Sequence, residues 1–350
     1  MEYRECGASK LRLSVIGTGC WAFGGGEYWG DQNQKDVDAV VHASVEYGVN
    51  YFDTAEAYND GRSEISLGQA LQGIPRDKVV IGTKVSPPHC YAGTLEKHCE
   101  ESLRRLQTDH IDLYMIHWPI HPHSVRHFTK DENVINNPPT ITEAIEAMLR
   151  LQDAGKIGRI GVSNYSDRRL SNDIPSSVDV AANELPYNLL CRAIEYDTLP
   201  YCAAKGIGII GYMTLLQGIL AGIYPTLHDV PAWQRRTRHF NCEGTSLCRH
   251  GEKGFESETE QALAAIHKVA LDSGMTMAEL STKWVLANKN ITCALIGARN
   301  VAELTENMAT VSQPLDPSVV DQLNQITDEL KFRLGNHCDY YESAENDRTL

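Results

Sequence analysis

Short apolar segments alternate with longer amphipathic segments along almost the whole chain. The apolar segments are rich in β-branched residues, and the segments between them have helical spacing. This alternation is typical of a parallel sheet whose strands are joined by helices. The predicted strands are Val15–Thr18, Asn50–Asp53, Lys78–Lys84, Ile111–His117, Arg159–Ser163, Val180–Glu184, Gly208–Tyr212 and Ala294–Gly297. Eight strand–helix units in one chain close most naturally into a (β/α)8 barrel.

The predicted helices carry their apolar residues on one face. In Thr94–Leu106, for example, Leu95, Leu103 and Leu106 share a face, and the charged residues lie opposite. The others are Lys35–Tyr47, Ser63–Gln72, Thr140–Ala154, Arg168–Ile174, Ile194–Lys205, Glu258–Ser273, Met277–Asn288, Val301–Ala309 and a last helix, Pro317–Lys331. Ser63 is a candidate N-cap, and residues 7–10 form a predicted hairpin turn.

We predict one barrel domain over residues 1–335 and a loose, polar C-terminal tail over residues 336–350. Two long loops, 117–139 and 223–257, follow predicted strands. Loops after the strands of a barrel lie on its active face, so both are candidates for a substrate or cofactor rim.

Charge and cysteine usage exclude several classes of protein. The net charge is −14, from 32 basic and 46 acidic residues, which argues against a nucleic-acid or anionic-membrane surface. The first ten residues contain no apolar signal region, so we expect a cytoplasmic protein. The ten cysteines show no paired spacing and are expected to be reduced thiols. The uncharged segment 206–224 holds five glycines and is expected to form a buried strand, a loop and a short helix rather than a membrane span.

Chemically useful side chains stand at three successive strand ends. The strand ends supply Asp53, Lys84 and His117, and Tyr58 follows Asp53 in the next loop. A phenol with a pKa near 10 is a poor acid at neutral pH. A neighbouring ammonium stabilises the phenolate and lowers that pKa, while a carboxylate keeps the ammonium charged. The alternative interpretation is a buried salt bridge beside a core tyrosine and histidine.

The segments D-T-A-E-A-Y-N-D-G-R-S-E at 53–64, T-K at 83–84 and I-H-W-P at 116–119 resemble the aldo-keto reductase family. The likeness runs from about residue 3 to about residue 335 and includes the bacterial-type and channel-β-subunit-like branch. It implies a TIM barrel with an N-terminal hairpin closing its floor and an extra C-terminal helix. It also implies hydride transfer between NADP(H) and a carbonyl or alcohol. Tyr58 would be the general acid or base, tuned by Lys84 and Asp53. The resemblance places the substrate beside Trp21, Tyr58, His117 and Trp118.

The same resemblance assigns residues to the nicotinamide end of the cofactor. Residues 17–22 match G-x-G-x-x-A, but no helix follows, so we reject a Rossmann site. Glu184 stands where the family usually has glutamine, and its carboxylate would favour the positively charged oxidised ring. The nicotinamide contacts implied are Gly19, Cys20, Trp21, Asp53, Ser163, Asn164, Glu184 and Tyr212.

Two further segments are assigned to the phosphates and the adenine. The first resembles the family's pyrophosphate loop, although Thr214 and Ile223 replace a usual proline and lysine. It comprises Met213, Thr214, Leu215, Gln217 and Gly218, with Arg238 and its neighbours Arg235 and Arg236 as compensating cations. The second is a glycine-opened turn into a helix: Ile296, Gly297, Ala298, Arg299, Glu303, Glu306 and Asn307. Arg299 suits a 2′-phosphate, which favours NADP(H) over NAD(H).

Several alternatives stay open or are rejected. His121, His123 and His127 do not have a zinc-like spacing, so we predict no metal. The long loops after strands four and seven are polar and rich in His and Arg, which favours a sugar-like, polyol or otherwise oxygenated small-molecule substrate. A cofactor-binding, redox-sensing regulatory subunit with slow turnover is the alternative function. A metal-dependent hydrolase or lyase needs more inward ligands than the strand ends supply. The sequence leaves the oligomeric state open.

Overall fold

A closed barrel of eight parallel strands forms the centre of the molecule, which confirms the predicted fold class. The computed structural model describes residues 1–309, 311 and 313–350. A two-stranded antiparallel hairpin of β1 (Tyr3–Glu5) and β2 (Arg12–Ser14) precedes the barrel. The barrel strands are β3 (Ile16–Gly19), β4 (Tyr51–Asp53), β5 (Val80–Val85), β6 (Ile111–Ile116), β7 (Ile157–Ser163), β8 (Val180–Pro186), β9 (Gly208–Tyr212) and β10 (Ile291–Ile296). They pair in chain order, and β10 closes the ring against β3.

Helices surround the barrel. They are α1 (Gln34–Glu46), α2 (Arg62–Ala70), α3 (Thr94–Leu106), α4 (Pro122–Phe128), α5 (Glu132–Asn136), α6 (Ile141–Asp153), α7 (Asp167–Asp173), α8 (Thr198–Lys205), α9 (Glu256–Asp272), α10 (Met277–Ala287), α11 (Val301–Ala309) and α12 (Pro317–Leu334). The short helices α4 and α5 lie in a segment that we predicted to be loop. The prediction that Ser63 caps α2 is wrong, because Gly61 takes that position with φ +78°. Ser63 instead donates a hydrogen bond to the Cys20 carbonyl oxygen at 2.7 Å.

The hairpin covers one end of the barrel. Cys6 and Leu13 are buried there against interior side chains that include Tyr51 and Leu113. The turn fits tightly: a Cβ on Gly7 would lie 1.9 Å from the Gly206 carbonyl oxygen. The floor is therefore filled by apolar packing, which leaves polar chemistry to the opposite end, where the strands finish.

The C-terminal segment is packed, so the expectation of a loose tail is wrong. The Arg348 guanidinium donates to both carboxylate oxygens of Asp339, at 2.7 and 2.8 Å, and both side chains are buried. Tyr340 is buried as well. The Arg348 guanidinium lies 3.9 Å from the ring centre of Trp118, so the tail reaches the active face. The domain boundary itself stays a prediction.

The expectation that all ten cysteines are reduced is also wrong. Cys242 and Cys248 form a disulfide in the long loop after β9, and the other eight cysteines are buried thiols. Two cysteines six residues apart do not indicate a disulfide from the sequence alone. Among the described residues, no helix combines the length and apolar character needed to cross a bilayer.

Candidate active site

The ends of β4 and β5 bring Asp53 and Lys84 into a buried ion pair. The Lys84 ammonium lies 2.7 Å from each carboxylate oxygen of Asp53 and 3.0 Å from the Thr54 carbonyl oxygen. It also donates to the Tyr58 hydroxyl at 3.4 Å. The two strands are adjacent and parallel, with Asp53 paired to Gly82, so both side chains point into the same end of the barrel. The structure thus brings together three of the four predicted catalytic residues through direct contacts.

The carboxylate of Glu184, at the end of β8, joins this ion pair from across the barrel. Its Oε1 lies 3.3 Å from the Lys84 ammonium, and its other oxygen is buried without a hydrogen-bond partner among the described residues. Burial raises the pKa of Glu184 well above its usual value, and the nearby Asp53 carboxylate raises it further. One ammonium therefore faces two carboxylates.

Burial dominates the acidity of Tyr58 in this site. It raises the pKa of the phenol, while Lys84 lowers it only in part and Asp53 opposes Lys84. Lys84 therefore lowers the pKa of the phenol as expected, but burial leaves that pKa raised overall. Burial alone would lower the pKa of Lys84, but the Asp53 and Glu184 carboxylates outweigh it and leave that pKa raised. Lys84 is accordingly held as a cation.

His117, just after β6, is the fourth member of the cluster. Its ring centre lies 5.5 Å from that of Tyr58 in an edge-to-face arrangement. Burial, and then the charge of Lys84, lower the pKa of His117 well below its usual value. The imidazole is therefore neutral, and its Nδ1 is buried without a hydrogen-bond partner among the described residues. A neutral imidazole beside a phenol can orient a carbonyl oxygen by a hydrogen bond.

The ends of β7 and β9 add a polar network next to His117. The Asn164 amide donates to the His117 carbonyl oxygen at 3.1 Å and to the Ser163 hydroxyl oxygen at 2.9 Å. The Tyr212 hydroxyl donates to the Asn164 amide oxygen at 2.7 Å. These contacts fix the orientation of Asn164 and of Tyr212. They leave the predicted roles of both residues at the nicotinamide as predictions.

The arrangement of a buried Asp–Lys pair, a phenol and an imidazole on barrel strand ends matches a known family. The model of the Aldo/keto reductase family matches residues 15–328. The chain belongs to the aldo/keto reductase family. The recognition made from the sequence motifs is thereby confirmed.

Individual relatives cover most of the chain. Aldo-keto reductase YhdN of Bacillus subtilis (strain 168) is 31% identical over 319 residues, which are 87% of each chain. The NADH-specific methylglyoxal reductase of Escherichia coli (strain K12) is 29% identical, over 95% of this chain and 100% of its own. A solved aldo/keto reductase from Klebsiella pneumoniae, in complex with NADP and acetate, is 26% identical with a TM-score of 0.68. It covers 93% of this chain and 96% of its own.

In this aldo/keto reductase, the loop after β9 follows a bent path beside the strand ends. Met213 and Gln217 have left-handed φ angles of 57° and 54°. The Thr214 hydroxyl donates to the Leu295 carbonyl oxygen at 2.9 Å, which ties the loop to β10. The geometry does not support the predicted phosphate role of Arg238. Its guanidinium is bound to Glu252 at 3.0 Å and to the Leu334 carbonyl oxygen at 2.9 Å.

Arg299 lies at the turn between β10 and α11, as predicted, and two of the five N–H donors of its guanidinium are already used. Its Nε donates to Gln32 at 3.0 Å, and one terminal nitrogen donates to the Asp31 carbonyl oxygen at 2.5 Å. Its backbone N–H donates to the Glu303 carboxylate at 2.9 Å. Asn307 donates to the Gly297 carbonyl oxygen at 3.3 Å, and Glu306 is exposed.

An aromatic wall stands over the phenol, and of its members only Trp21 was predicted from the sequence. Trp21 stacks on Tyr28 with ring centres 4.9 Å apart and lies 5.9 Å from the ring of Tyr58. The ring centres of Tyr28 and Trp233 lie 4.5 Å apart, and the Arg236 guanidinium lies 4.9 Å from the ring centre of Tyr28. The density of aromatic residues in 21–29 is a local signal for such a wall. The contact with Trp233, far away in sequence, leaves no local signal.

The histidine-rich loop after β6 is partly occupied by the tail. The His121 ring contacts the Arg348 carbonyl oxygen at 3.0 Å. Burial lowers the pKa of His127 to about 3. The guanidinium of Arg348 covers the ring of Trp118, which we predicted to contact substrate directly. The tail is therefore part of the rim of the site, and no sequence motif indicated it.

Proposed function

We propose that this chain is an NADP(H)-dependent oxidoreductase that interconverts a carbonyl and an alcohol, with Tyr58 as general acid and base. The observation that carries the proposal is the contact of Lys84 with both Asp53 and the Tyr58 hydroxyl, at 2.7 and 3.4 Å. A buried phenol beside a permanent cation can give up its proton when negative charge develops on a substrate oxygen.

Each member of the cluster has a separate task. Tyr58 donates its proton to the carbonyl oxygen in reduction and takes it back in oxidation. Lys84 stabilises the phenolate left behind, and Asp53 keeps Lys84 charged and oriented. His117, neutral because of its burial, orients the carbonyl oxygen beside Tyr58. The nicotinamide cofactor, when bound, supplies or accepts the hydride.

The residues at the strand ends fit a nicotinamide cofactor. At Gly297 an added Cβ would have one close neighbour, the Gly19 carbonyl oxygen at 3.6 Å, so the backbone there can approach a ligand closely. The buried, unpaired Glu184 oxygen can accept from the carboxamide NH2 group. The NADP complex of the Klebsiella relative supports NADP(H) for this chain. The name of the Escherichia coli relative makes NADH the competitor to measure.

The walls of the site favour an oxygenated substrate. Aromatic faces alternate with polar groups, and the Trp29 and Arg236 side chains each carry a buried N–H without a partner among the described residues. Such donors can bind hydroxyl or carbonyl oxygens, as in a sugar-like or polyol substrate. The small dicarbonyl named for the Escherichia coli relative belongs in the same test panel.

Cofactor titration tests the proposal. NADPH and NADH are titrated against the wild type and Arg299→Met by protein fluorescence, and bound cofactor is then oxidised with aldehydes, ketoses and methylglyoxal. We expect NADPH to bind more tightly than NADH. Arg299→Met should lower the affinity for NADPH by about tenfold and leave the affinity for NADH nearly unchanged. Failure of both cofactors to bind would overturn the proposal. Tight binding without turnover in either direction would favour the regulatory-subunit alternative.

A further inference from the structure

A second cluster of polar side chains lies outside the catalytic site. It consists of Glu56, His89 and His98, which we call the Glu56 cluster. Glu56 Oε1 lies 2.7 Å from His89 Nδ1, and Glu56 Oε2 lies 2.8 Å from His98 Nδ1. The two imidazoles stack with ring centres 3.8 Å apart and an angle of 17° between their planes. Both Nδ1 atoms therefore face one carboxylate.

We propose that the Glu56 cluster binds a divalent transition-metal cation of the zinc type. Its ligand atoms all lie within 4.8 Å of one another. Two imidazole nitrogens and one carboxylate form a ligand set that zinc accepts, with a water molecule in the remaining position. Nitrogen ligands favour zinc, cobalt or nickel over calcium and magnesium, which prefer oxygen.

One imidazole must turn out of the stack to convert the hydrogen-bonded cluster into a metal site, because a metal lies in the plane of each imidazole that binds it and the two ring planes are nearly parallel. With metal–ligand bonds of roughly 2.0–2.2 Å, two ligand atoms of a tetrahedral site lie ~3.3 Å apart. The two His–Glu separations in the structure are about half an ångström shorter, as expected when protons rather than a metal lie between the atoms. The His89 and His98 side chains are 39% and 22% exposed, which leaves a route for the cation and for a water ligand.

The Glu56 carboxylate favours its charged form and is held in a fixed orientation. Burial alone would raise the pKa of Glu56, but hydrogen bonds from His89 and His98 outweigh it and hold that pKa well below its usual range. The Ser86 backbone N–H donates to Glu56 Oε1 at 2.8 Å and fixes its orientation. Ligating carboxylates commonly receive such outer hydrogen bonds.

A cation at this position joins three elements around the reactive phenol. Glu56 lies in the β4–α2 loop between Asp53 and Tyr58, His89 lies in the turn after β5, and His98 is on α3. The loop that carries Tyr58 would then be tied to the segment that follows Lys84. Because only the folded protein assembles these ligands, metal binding stabilises the fold. The proposal does not depend on the proposed reaction.

Zinc and cobalt binding to untagged, chelator-treated full-length protein tests the proposal. Zinc affinity is measured by calorimetry, cobalt coordination by visible absorption, and thermal stability with and without zinc. The test variants are His89→Ala and His98→Ala, with circular dichroism to verify folding. His110→Ala is the matched control, because His110 Nδ1 lies 2.7 Å from the exposed Asp109 carboxylate and outside the cluster. The double variant Cys242→Ser/Cys248→Ser removes a second group with metal-like spacing found among the described residues, Cys242, Cys248 and His250.

We expect the wild type and both controls to bind one zinc ion and to gain thermal stability. His89→Ala and His98→Ala should each bind at least tenfold more weakly and lose the cobalt absorption and the zinc-dependent stabilisation. Absence of binding in the wild type would overturn the proposal. Equal binding in all variants, or a loss confined to the cysteine variant, would overturn it as well.

Discussion

The Glu184 carboxylate lies 3.3 Å from the Lys84 ammonium, which also contacts the Asp53 carboxylate at 2.7 Å. A glutamine at this position, usual in the family, would leave one carboxylate for one ammonium. This chain has a second, titratable carboxylate in the same buried site. The second carboxylate should make cofactor affinity and folding stability depend on pH.

Glu184→Gln should change the balance between oxidised and reduced cofactor. An ionised Glu184 attracts the positively charged oxidised ring. Removing this charge should therefore lower the affinity for NADP⁺ relative to that for NADPH by about 3- to 10-fold. Because the pKa of Glu184 is raised, the wild-type affinity ratio should move towards NADP⁺ as pH rises, and the variant ratio should stay flat. Fluorescence titrations of both cofactors at several pH values measure this. Identical pH dependence in the two proteins would contradict it.

The same substitution should change how stability depends on pH. An unfolded glutamate loses its proton near its ordinary pKa, whereas folded Glu184 keeps it to higher pH because of burial and Asp53. The folded wild type therefore loses stability relative to Glu184→Gln as pH rises above that ordinary value. The difference should grow by at most about 1.4 kcal/mol per pH unit. Urea unfolding between acidic and mildly alkaline pH measures it, and a difference that shrinks with rising pH would argue against a protonated Glu184.

Lys84→Met should lower the free energy of unfolding. The substitution leaves Asp53 and Glu184 facing each other in a buried site without a cation. Loss of one partner from a buried ion pair costs about 3–5 kcal/mol. Adding Asp53→Asn should recover part of the loss, because a neutral amide has a smaller burial cost. Urea unfolding of the single and double variants measures both, and a single-variant loss below about 1 kcal/mol would contradict the prediction.

The C-terminal tail should depend on the buried pair of Asp339 and Arg348. Asp339→Asn keeps the shape but removes the charge that pairs with Arg348, and should cost about 2–3 kcal/mol. Because Arg348 covers Trp118, the KM for substrate should rise as well. Arg333→Gln is the control: it breaks an exposed pair with Glu329 and should leave thermal stability and KM nearly unchanged. Equal behaviour of the two variants would contradict the prediction.

The sequence predicted the framework well, because barrel strands and their helices have strong local signals. The end of β4 at Asp53 and the whole of α3 were predicted to the residue. The cluster of Asp53, Lys84 and Tyr58 followed from the strand ends and the loop after β4, taken together with the family resemblance. The acidity of Tyr58 did not, since the burial that dominates its pKa is a property of the packed site.

Long-range contacts account for what the sequence did not predict. The polar composition of the tail suggested a solvent-exposed segment. Asp339 and Arg348 instead form a buried ion pair, and this pairing allows the segment to pack against the barrel. The free guanidinium expected of Arg238 is bound by Glu252 and by the end of α12. The aromatic wall joins Trp21 to Trp233 through Tyr28, although the two tryptophans lie far apart in the sequence. None of these pairings has a characteristic spacing.

Tyr58→Phe tests the central claim most directly, because it removes one hydroxyl and leaves the ring packing unchanged. The measurement is the rate of hydride transfer in a single turnover of bound NADPH with the best carbonyl substrate. Loss of general acid catalysis should lower this rate by about 10²- to 10⁴-fold while cofactor affinity stays within about twofold. A hydride-transfer rate close to that of the wild type would contradict the assignment of Tyr58 and the mechanism built on its contact with Lys84.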